Sequence, residues 1–339
     1  MHRSAHRSLI LLAIVALLAG CNKNEFLVEQ RLLEFGTVID ISLIHSDRDK
    51  AESALVEIER RLATYRSQWH AWEDSDLTRF NQSLARGEST DIPASLNELI
   101  RLSQAYYERS QQLFNPAIGK LVAAYGFHES LKPDNELIES LRQDIPVMPD
   151  LLISDGRARS TNLNLQLDFG GIAKGYALAL ISDFLYQQGF ENFLINAGGD
   201  LLVSGDNRGK AWRIAIQDPF RPGAIASVSL RGRHALFTSG NYQRFYRQDG
   251  KIVHHIIDPR SGAPSVRISS TTVLASDPVL ADVAATSLMI DGLENDRSLA
   301  ESLGIEDYLI VTEDRKISLT RSFAKKIELL SDRPVSIID

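Results

Sequence analysis

Two adjacent histidines in the segment HHIIDPRSG, residues 254–262, are the first groups in this sequence that could do chemistry. An imidazole titrates near neutrality, so it can act as a base, ligate a metal or serve as an ordinary hydrogen-bonding group. The pattern from Lys251 to Ile257 predicts a strand in which His254 and His255 point to opposite faces, so one metal ion cannot easily bind both. Two interpretations remain: both rings are structural, or one of them is catalytic.

A glycine-rich segment, LDFGGIAKGYA at residues 167–177, joins a predicted strand to a predicted helix. The strand ends in Asp168, the pair Gly170 and Gly171 permits close backbone approach, and Lys174 lies in the first helical turn. Backbone N–H groups at a helix start can bind phosphate. The alternative is a tight connection with a solvated lysine.

A second glycine pair interrupts INAGGDLLVSG, residues 195–205, where one strand ends and another begins. Gly198, Gly199 and Asp200 form either a plain β-turn or a turn whose amides face a ligand. A further polar segment, TSG at residues 238–240, precedes the histidines.

An aspartate and a threonine share one helical face in LADVAATSLMI, residues 280–290. Asp282 and Thr286 are four residues apart, so their oxygen atoms could hold a hard cation such as Mg²⁺. The alternative is a helix-start aspartate beside a threonine that bonds back to the helix.

The elements that must position these groups mix helices with short strands. With 339 residues, 44% of them hydrophobic, the chain can form one large domain or two moderate ones. Strict alternation of Leu163, Leu165 and Leu167 with polar residues predicts a half-buried strand over 162–168. No regular βαβ repeat is present, so we expect an α+β fold with mainly antiparallel sheets. The other predicted elements are helices at Asp49–Tyr65, Ala94–Leu113, Ile172–Gln188, Leu280–Ile290 and Asp296–Leu303, and strands at Phe193–Asn196, Trp212–Gln217, Ala226–Leu230, Ala235–Thr238, Ser270–Ala275, Tyr308–Thr312 and Lys316–Leu319.

The charge balance argues against a nucleic-acid partner. The chain has 44 acidic and 37 basic side chains, a formal net charge of −7, and no long basic run.

The N-terminal segment has the features of a secretory signal. A basic start with Arg3 and Arg7 precedes an apolar run, Leu9 to Leu18, which is too short to span a bilayer. The sequence Leu-Ala-Gly-Cys that ends at Cys21 resembles the lipobox of bacterial lipoproteins, although a free thiol is the alternative. We expect a signal peptide at 1–20, a lipidated Cys21, a membrane tether at 21–30 and a folded domain at 31–339. Asn22 is not the aspartate associated with inner-membrane retention, which favours an outer-membrane anchor facing the periplasm.

In their order and spacing these segments resemble the ApbE family of flavin transferases, the FAD:protein FMN transferases. The resemblance runs from about Phe35 to Ile290, and it implies an α+β fold with a T-fold-like core and one flavin transferase domain. Its marks are FGT at 35–37, FNPAIGKLVAAYGF at 114–127, LDFGGIAKGYA, INAGGD, TSGNY at 238–242, HHIIDPRSG and ADVAAT at 281–286.

The resemblance also implies roles for individual residues. Asp282, Thr286 and the backbone carbonyl of Gly171 would hold Mg²⁺ against the FAD pyrophosphate. His255 would be the catalytic base and His254 structural. The residues expected to contact FAD are Phe35, Trp72, Leu113, Phe114, Asn115, Asp168, Lys174, Gly198, Gly199, Asp200, Thr238, Ser239, Gly240 and Ile256.

Three positions depart from the usual family pattern. Phe35 stands where the family has methionine, Asn115 where it has aspartate within F-D-P, and Ser261 where it has threonine. Asn115 removes a negative charge near the expected flavin site.

The activity implied by the resemblance is Mg²⁺-dependent transfer of FMN from FAD to a threonine or serine hydroxyl of an acceptor protein, with release of AMP. A membrane redox subunit is the expected acceptor. Two alternatives are a periplasmic FAD pyrophosphatase, in which water attacks, and a flavin-binding lipoprotein without turnover.

Overall fold

The structure, a computed structural model, describes residues 25–127, 132–248 and 251–339. The helices are α1 Arg48–Trp69, α2 Asp76–Ala85, α3 Ala94–Arg109, α4 Gly119–Ala124, α5 Asn135–Arg142, α6 Ala173–Gln187, α7 Pro278–Asp291, α8 Asp296–Leu303 and α9 Arg321–Ala324, with a 3₁₀ turn at Met148–Asp150. The strands are β1 Phe26–Glu34, β2 Thr37–His45, β3 Thr90–Asp91, β4 Leu151–Ser154, β5 Arg157–Ser160, β6 Asn192–Ala197, β7 Asp200–Ser204, β8 Trp212–Gln217, β9 Ala224–Leu230, β10 His234–Gly240, β11 Phe245–Gln248, β12 Lys251–His254, β13 Ile257–Asp258, β14 Ala263–Pro264, β15 Ile268–Ala275, β16 Asp307–Thr312, β17 Ile317–Thr320, β18 Ile327–Leu329 and β19 Val335–Ile338.

A nine-stranded sheet in the order β1-β2-β6-β7-β10-β15-β16-β17-β19 runs through the molecule. Its neighbouring strands pair antiparallel except β17 and β19, which pair parallel. The expected α+β class with mainly antiparallel sheets is confirmed.

Side chains alternate along each strand, so the two faces of this sheet contribute to two different hydrophobic cores. On β10, Phe237 belongs to a core shared with Ile58 of α1 and Ile181 of α6. Its neighbour Leu236 belongs to a second core, shared with Trp212 of the small sheet β18-β9-β8. Helices therefore cover one face and a three-stranded sheet covers the other.

Most predicted elements are present with small shifts of their ends, and α8 and β8 have the predicted bounds. The predicted strand over 162–168 is wrong, since this segment has only an isolated bridge between Gln166 and Ile118. The side chain of Asn81 takes the place of a neighbouring strand by donating to Leu167 O at 2.9 Å and accepting from Leu167 N at 2.9 Å. Leu165 and Leu167 are buried but Leu163 is 56% exposed, so only two of the three leucines are buried as the alternation predicts.

The predicted strand Lys251–Ile257 is also too long, because β12 ends at His254 and the chain bends at His255. Side chains after the bend therefore do not follow the predicted alternation.

The expected signal peptide and the lipidated Cys21 lie outside the described residues. Residues 26–30, assigned to the tether from the sequence, lie in β1 and pair with β2, so the sheet begins inside that range. Within the described ranges, no helix combines the length and apolar character needed to cross a membrane.

Candidate active site

A cavity of about 910 Å³ lies beside the β1–β2 turn, the first turns of α6 and α7, and the end of β12. It is lined by many of the residues predicted from the sequence, and these are spread over most of the chain length. Those that line it are Phe35, Trp72, Leu113, Phe114, Asn115, Asp168, Gly171, Lys174, Gly198, Asp200, Thr238, Ser239, His255, Ile256, Asp282 and Thr286.

Two predicted contacts, Gly199 and Gly240, do not line this cavity. Gly198 and Gly199 form the two-residue turn between β6 and β7, with φ of +67° and +102°. The Gly199 N–H donates to Asn196 Oδ1 at 2.9 Å, which matches the plain-turn interpretation for this residue. A Cβ on Gly240 would lie 2.4 Å from the Tyr242 ring, so that glycine serves packing.

Close approach of α6 and α7 brings the glycine-rich segment to Asp282. A Cβ on Gly175 would lie 2.4 Å from Pro278 O, so only glycine allows this separation. The Gly175 N–H donates to Asp282 Oδ2 at 2.9 Å. Asp282 is only 3% exposed, and Asp277 is the N-cap of α7, so Asp282 is not an exposed helix-start aspartate.

Lys174 lies between two buried carboxylates rather than in solvent. Its Nζ is 3.2 Å from Asp200 Oδ2 and 3.6 Å from Asp282 Oδ1. Burial disfavours the charged amine, but the two carboxylates outweigh that effect and raise the pKa of Lys174. Burial raises the pKa of Asp200 to about 6, although Lys174 acts in the opposite direction. The solvated-lysine alternative is therefore wrong.

Oxygen donors suited to a hard cation converge next to this lysine. Thr286 Oγ1 lies 3.2 Å from Ser239 Oγ, and a Cβ on Gly171 would lie 3.5 Å from the same Oγ1. Thr286 also donates to Asp282 O at 3.2 Å, the back-bonding expected of a helical threonine. Across the described residues, no cluster of three or more His, Cys, Asp or Glu is placed to hold a metal. The donor set fits a Mg²⁺ ion that takes its other ligands from water and substrate phosphate.

The two histidines differ in their surroundings. His254 is 2% exposed and its Nε2 contacts Ser265 O at 2.8 Å. His255 lines the cavity, and its Nδ1 lies 3.3 Å from Arg244 O. An Nδ1–H donor to that carbonyl leaves Nε2 with a free lone pair. Burial lowers the pKa of His255 to about 3, with smaller contributions from the charges of Arg244 and His254.

An aromatic wall includes one predicted residue in an unusual backbone conformation. Phe35, in the β1–β2 turn, has φ of +53°, a region that bulky residues rarely adopt. Its ring lies 6.5 Å from that of Trp69, which stacks on Tyr65 at 4.7 Å.

Asn115 is buried and both ends of its amide are used by the backbone. Its Nδ2 donates to Pro146 O at 2.8 Å, and its Oδ1 accepts from Ala117 N at 3.1 Å. An ionised aspartate could not donate to Pro146 O. The departure from the family pattern is therefore matched to a structural hydrogen bond.

Sequence reasoning missed several residues of the cavity wall, including Arg66, Trp69, His70, Glu73 and Arg244. The tryptophans and histidine of the WHAW sequence were the available signal for the first group. No local pattern distinguishes Arg244 from other arginines of the chain.

The known proteins to which this chain is similar include FAD:protein FMN transferases. A family model described as the ApbE family matches residues 35–309. The chain is 34% identical over 319 residues to an FAD:protein FMN transferase of Rhodobacter capsulatus, with 92% of this chain and 61% of that protein covered. It is 32% identical over 325 residues to an FAD:protein FMN transferase of Vibrio cholerae, with 90% of this chain and 94% of that protein covered. The chain thus spans less than two thirds of the length of the Rhodobacter protein.

Solved structures of ApbE proteins are also similar to this chain. The ApbE protein of Thermotoga maritima superposes with a TM-score of 0.78 at 28% identity, covering 89% of this chain and 99% of that one. The flavin transferase ApbE of Vibrio cholerae superposes with a TM-score of 0.75 at 30% identity, with the same coverage. The resemblance inferred from the sequence motifs is confirmed.

Proposed function

The chain belongs to the ApbE family, and from this premise we propose that it is an FAD:protein FMN transferase. The observation that carries the proposal is the convergence of His255, Lys174 and the oxygen donors of Asp282 and Thr286 on one cavity. A base, a cation and a set of oxygen ligands are the groups that in-line attack on a pyrophosphate requires.

In the proposed reaction a threonine or serine hydroxyl of the acceptor protein attacks the FMN phosphorus of FAD. A bond forms between the hydroxyl oxygen and that phosphorus, and the bond from the phosphorus to the bridging oxygen breaks. AMP leaves with the bridging oxygen, and the hydroxyl proton passes to His255. The product is a phosphoester between FMN and the acceptor.

His255 suits the role of base because of its hydrogen bond and its protonation state. Donation from Nδ1 to Arg244 O orients the ring and leaves Nε2 to accept a proton. The lowered pKa keeps the imidazole neutral at physiological pH. An anionic pyrophosphate beside the ring would raise that pKa and make His255 a stronger base.

Asp282, Thr286 and the carbonyl of Gly171 would hold a Mg²⁺ ion, which would supply charge neutralisation for the departing AMP. The ammonium of Lys174 is a second positive charge beside Asp282, at 3.6 Å from Oδ1. The bond from the Gly175 N–H fixes the Asp282 carboxylate, so its orientation is set by the junction of α6 and α7.

Exposed residues form part of the cavity wall, which supports access by a protein segment. Glu73, Gln243 and Arg244 are exposed and line the cavity. We take a membrane redox subunit as the acceptor because the N-terminal sequence suggests a membrane-anchored enzyme.

We further propose that Cys21 carries a lipid anchor that holds the domain at the periplasmic face of a bacterial membrane, with the outer membrane favoured. The support is the sequence before Cys21 together with the apolar run that ends at Leu18. Several acyl chains at about 0.8 kcal/mol per buried CH₂ would hold a soluble domain firmly at a bilayer.

The proposal is tested by incubating residues 22–339 with FAD, Mg²⁺ and candidate membrane redox subunits. Covalent flavin fluorescence on an acceptor band in a denaturing gel is the expected result. Release of free FMN and AMP without labelling would indicate a pyrophosphatase instead. FAD binding without AMP production would indicate a flavin-binding protein that does not turn over.

A further inference from the structure

Arg244 differs from the other cationic side chains of the cavity wall in its ion pairs. Arg66 Nη2 lies 2.7 Å from Glu73 Oε2, and Lys174 Nζ lies 3.2 Å from Asp200 Oδ2. Arg244 makes no ion pair with a carboxylate of the described residues, and its side chain is exposed in the cavity wall. A full positive charge is thus available to a ligand at this point.

The backbone of Arg244 is tied to the candidate base. Arg244 O accepts from the His255 backbone N–H at 3.2 Å and lies 3.3 Å from His255 Nδ1. Both contacts come from the residue whose guanidinium lines the cavity. The backbone that carries this positive charge is therefore hydrogen-bonded to the residue that carries the imidazole.

The β1–β2 turn leaves room for the guanidinium. A Cβ on Gly36 would lie 2.9 Å from Arg244 Nη2, and Gly36 has φ of +68°. The β1–β2 turn therefore uses glycine both for its backbone conformation and for close approach of the arginine. Arg244 is packed across the turn that carries Phe35 and does not simply extend into solvent.

An unpaired, planar guanidinium beside a neutral base is suited to a phosphate group, which it can bind through two parallel hydrogen bonds. In FAD the flavin ring and the adenosine are uncharged at neutral pH, so the pyrophosphate is the part that carries negative charge. Resting on the proposed function, we propose that Arg244 binds the FAD pyrophosphate and holds the phosphorus under attack next to His255.

The test compares ligands with and without phosphate on the same variants. Binding of FAD and of riboflavin is measured by quenching of flavin fluorescence, first with EDTA and then with Mg²⁺, for wild type, Arg244→Gln and Arg244→Lys. Arg247→Gln, an exposed arginine of the same hairpin that does not line the cavity, is the matched control.

We expect Arg244→Gln to weaken FAD binding about 10- to 100-fold, the range for charge-assisted hydrogen bonds. Riboflavin binding should stay within about twofold, since that ligand has no group for the guanidinium, and Arg244→Lys should recover part of the FAD affinity. Arg247→Gln should bind both ligands as wild type does.

Equal losses of FAD and riboflavin affinity would show a structural role and overturn the assignment. Unchanged FAD binding in Arg244→Gln would overturn it as well, even if wild-type protein transfers flavin normally. Conversely, a phosphate-dependent loss of FAD affinity in a protein that labels no acceptor would leave the assignment standing and contradict only the transferase proposal.

Discussion

At the residue scale, the proposed chemistry depends on one nitrogen of His255. The ring is neutral because burial lowers its pKa to about 3. A carbonyl oxygen can only accept, so the contact with Arg244 O assigns the proton to Nδ1 and leaves Nε2 unprotonated. His254, the adjacent residue, is buried against Ser265 O and does not line the cavity. Two histidines of identical chemistry are therefore placed in different environments by a bend after β12.

His255→Asn should reduce FMN transfer by about 10²- to 10⁴-fold, the usual contribution of a general base. FAD affinity should be nearly unchanged, because the proposed pyrophosphate contacts come from other residues. Rates of acceptor labelling and FAD binding are measured on the same preparation.

His254→Asn is the control for that variant. It should lower the melting temperature through the lost contact with Ser265 O while the folded protein keeps most of its transfer rate. An essential His254 and a dispensable His255 would reverse the assignment.

Asp282→Asn should abolish Mg²⁺-dependent AMP release with little change in folding. The amide oxygen can still accept from the Gly175 N–H, so the buried contact is kept while the charge is lost. Several kcal/mol of charge stabilisation correspond to a loss of about 10²-fold or more. AMP is quantified chromatographically. Asp277→Asn, which keeps an N-cap on the same helix, should behave as wild type.

Asn115→Asp should destabilise the protein although it restores the family's usual residue. The carboxylate would face Pro146 O without a proton to donate, and an unsatisfied buried acceptor costs about 1–3 kcal/mol. Chemical denaturation at neutral pH measures the change. A variant as stable as wild type would mean that the Pro146 hydrogen bond contributes little.

At the element scale, the site is set by how closely α6 and α7 approach. Gly175 sits at their contact, and its N–H meets Asp282. Both helices could be predicted from apolar periodicity, whereas their contact could not, because it depends on the absence of one side chain. The segment 162–168 does not form the predicted strand, because the side chain of Asn81 hydrogen-bonds the backbone N–H and C=O of Leu167 where a neighbouring strand would do so. This contact between distant residues could not be predicted from the local pattern either.

Gly175→Ala should lower the free energy of unfolding by about 1–3 kcal/mol, because the added methyl group overpacks the junction. Since the junction also orients Asp282, transfer activity should fall as well. The free energy is obtained from denaturant titrations. Gly170→Ala is the comparison, because the atom nearest to its added Cβ, Asp168 Oδ1, would lie 3.3 Å away. Equal stability of the two variants would contradict the packing argument.

At the scale of the whole molecule, the sequence could predict the class of fold and the motifs but not the completed cavity. Phe35, Gly171, His255 and Asp282 are distant in sequence and meet only through the packing of helices on the sheet. Their proposed common role was implied by the family resemblance. Arg244 could not be identified from the sequence because its proposed role depends on its surroundings in the fold. It has no carboxylate partner among the described residues, and its backbone contacts the candidate base His255. Neither feature is visible in a local sequence pattern.

Cys21→Ser should prevent lipidation, because acylation needs the thiol, and should shift the protein away from the membrane fraction. Mass spectrometry of the native mature N-terminus measures the modification. An unmodified Cys21, or cleavage at another residue, would contradict the lipoprotein proposal.

The most direct test of the central claim is the stoichiometry of a single reaction of the protein with FAD, Mg²⁺ and an acceptor subunit. AMP, free FMN and flavin covalently bound to a threonine or serine are quantified together, the last by peptide mass spectrometry. We predict one AMP released for each FMN bound to the acceptor, with little free FMN. AMP formed together with an equal amount of free FMN, and no labelled hydroxyl on any acceptor, would contradict the account.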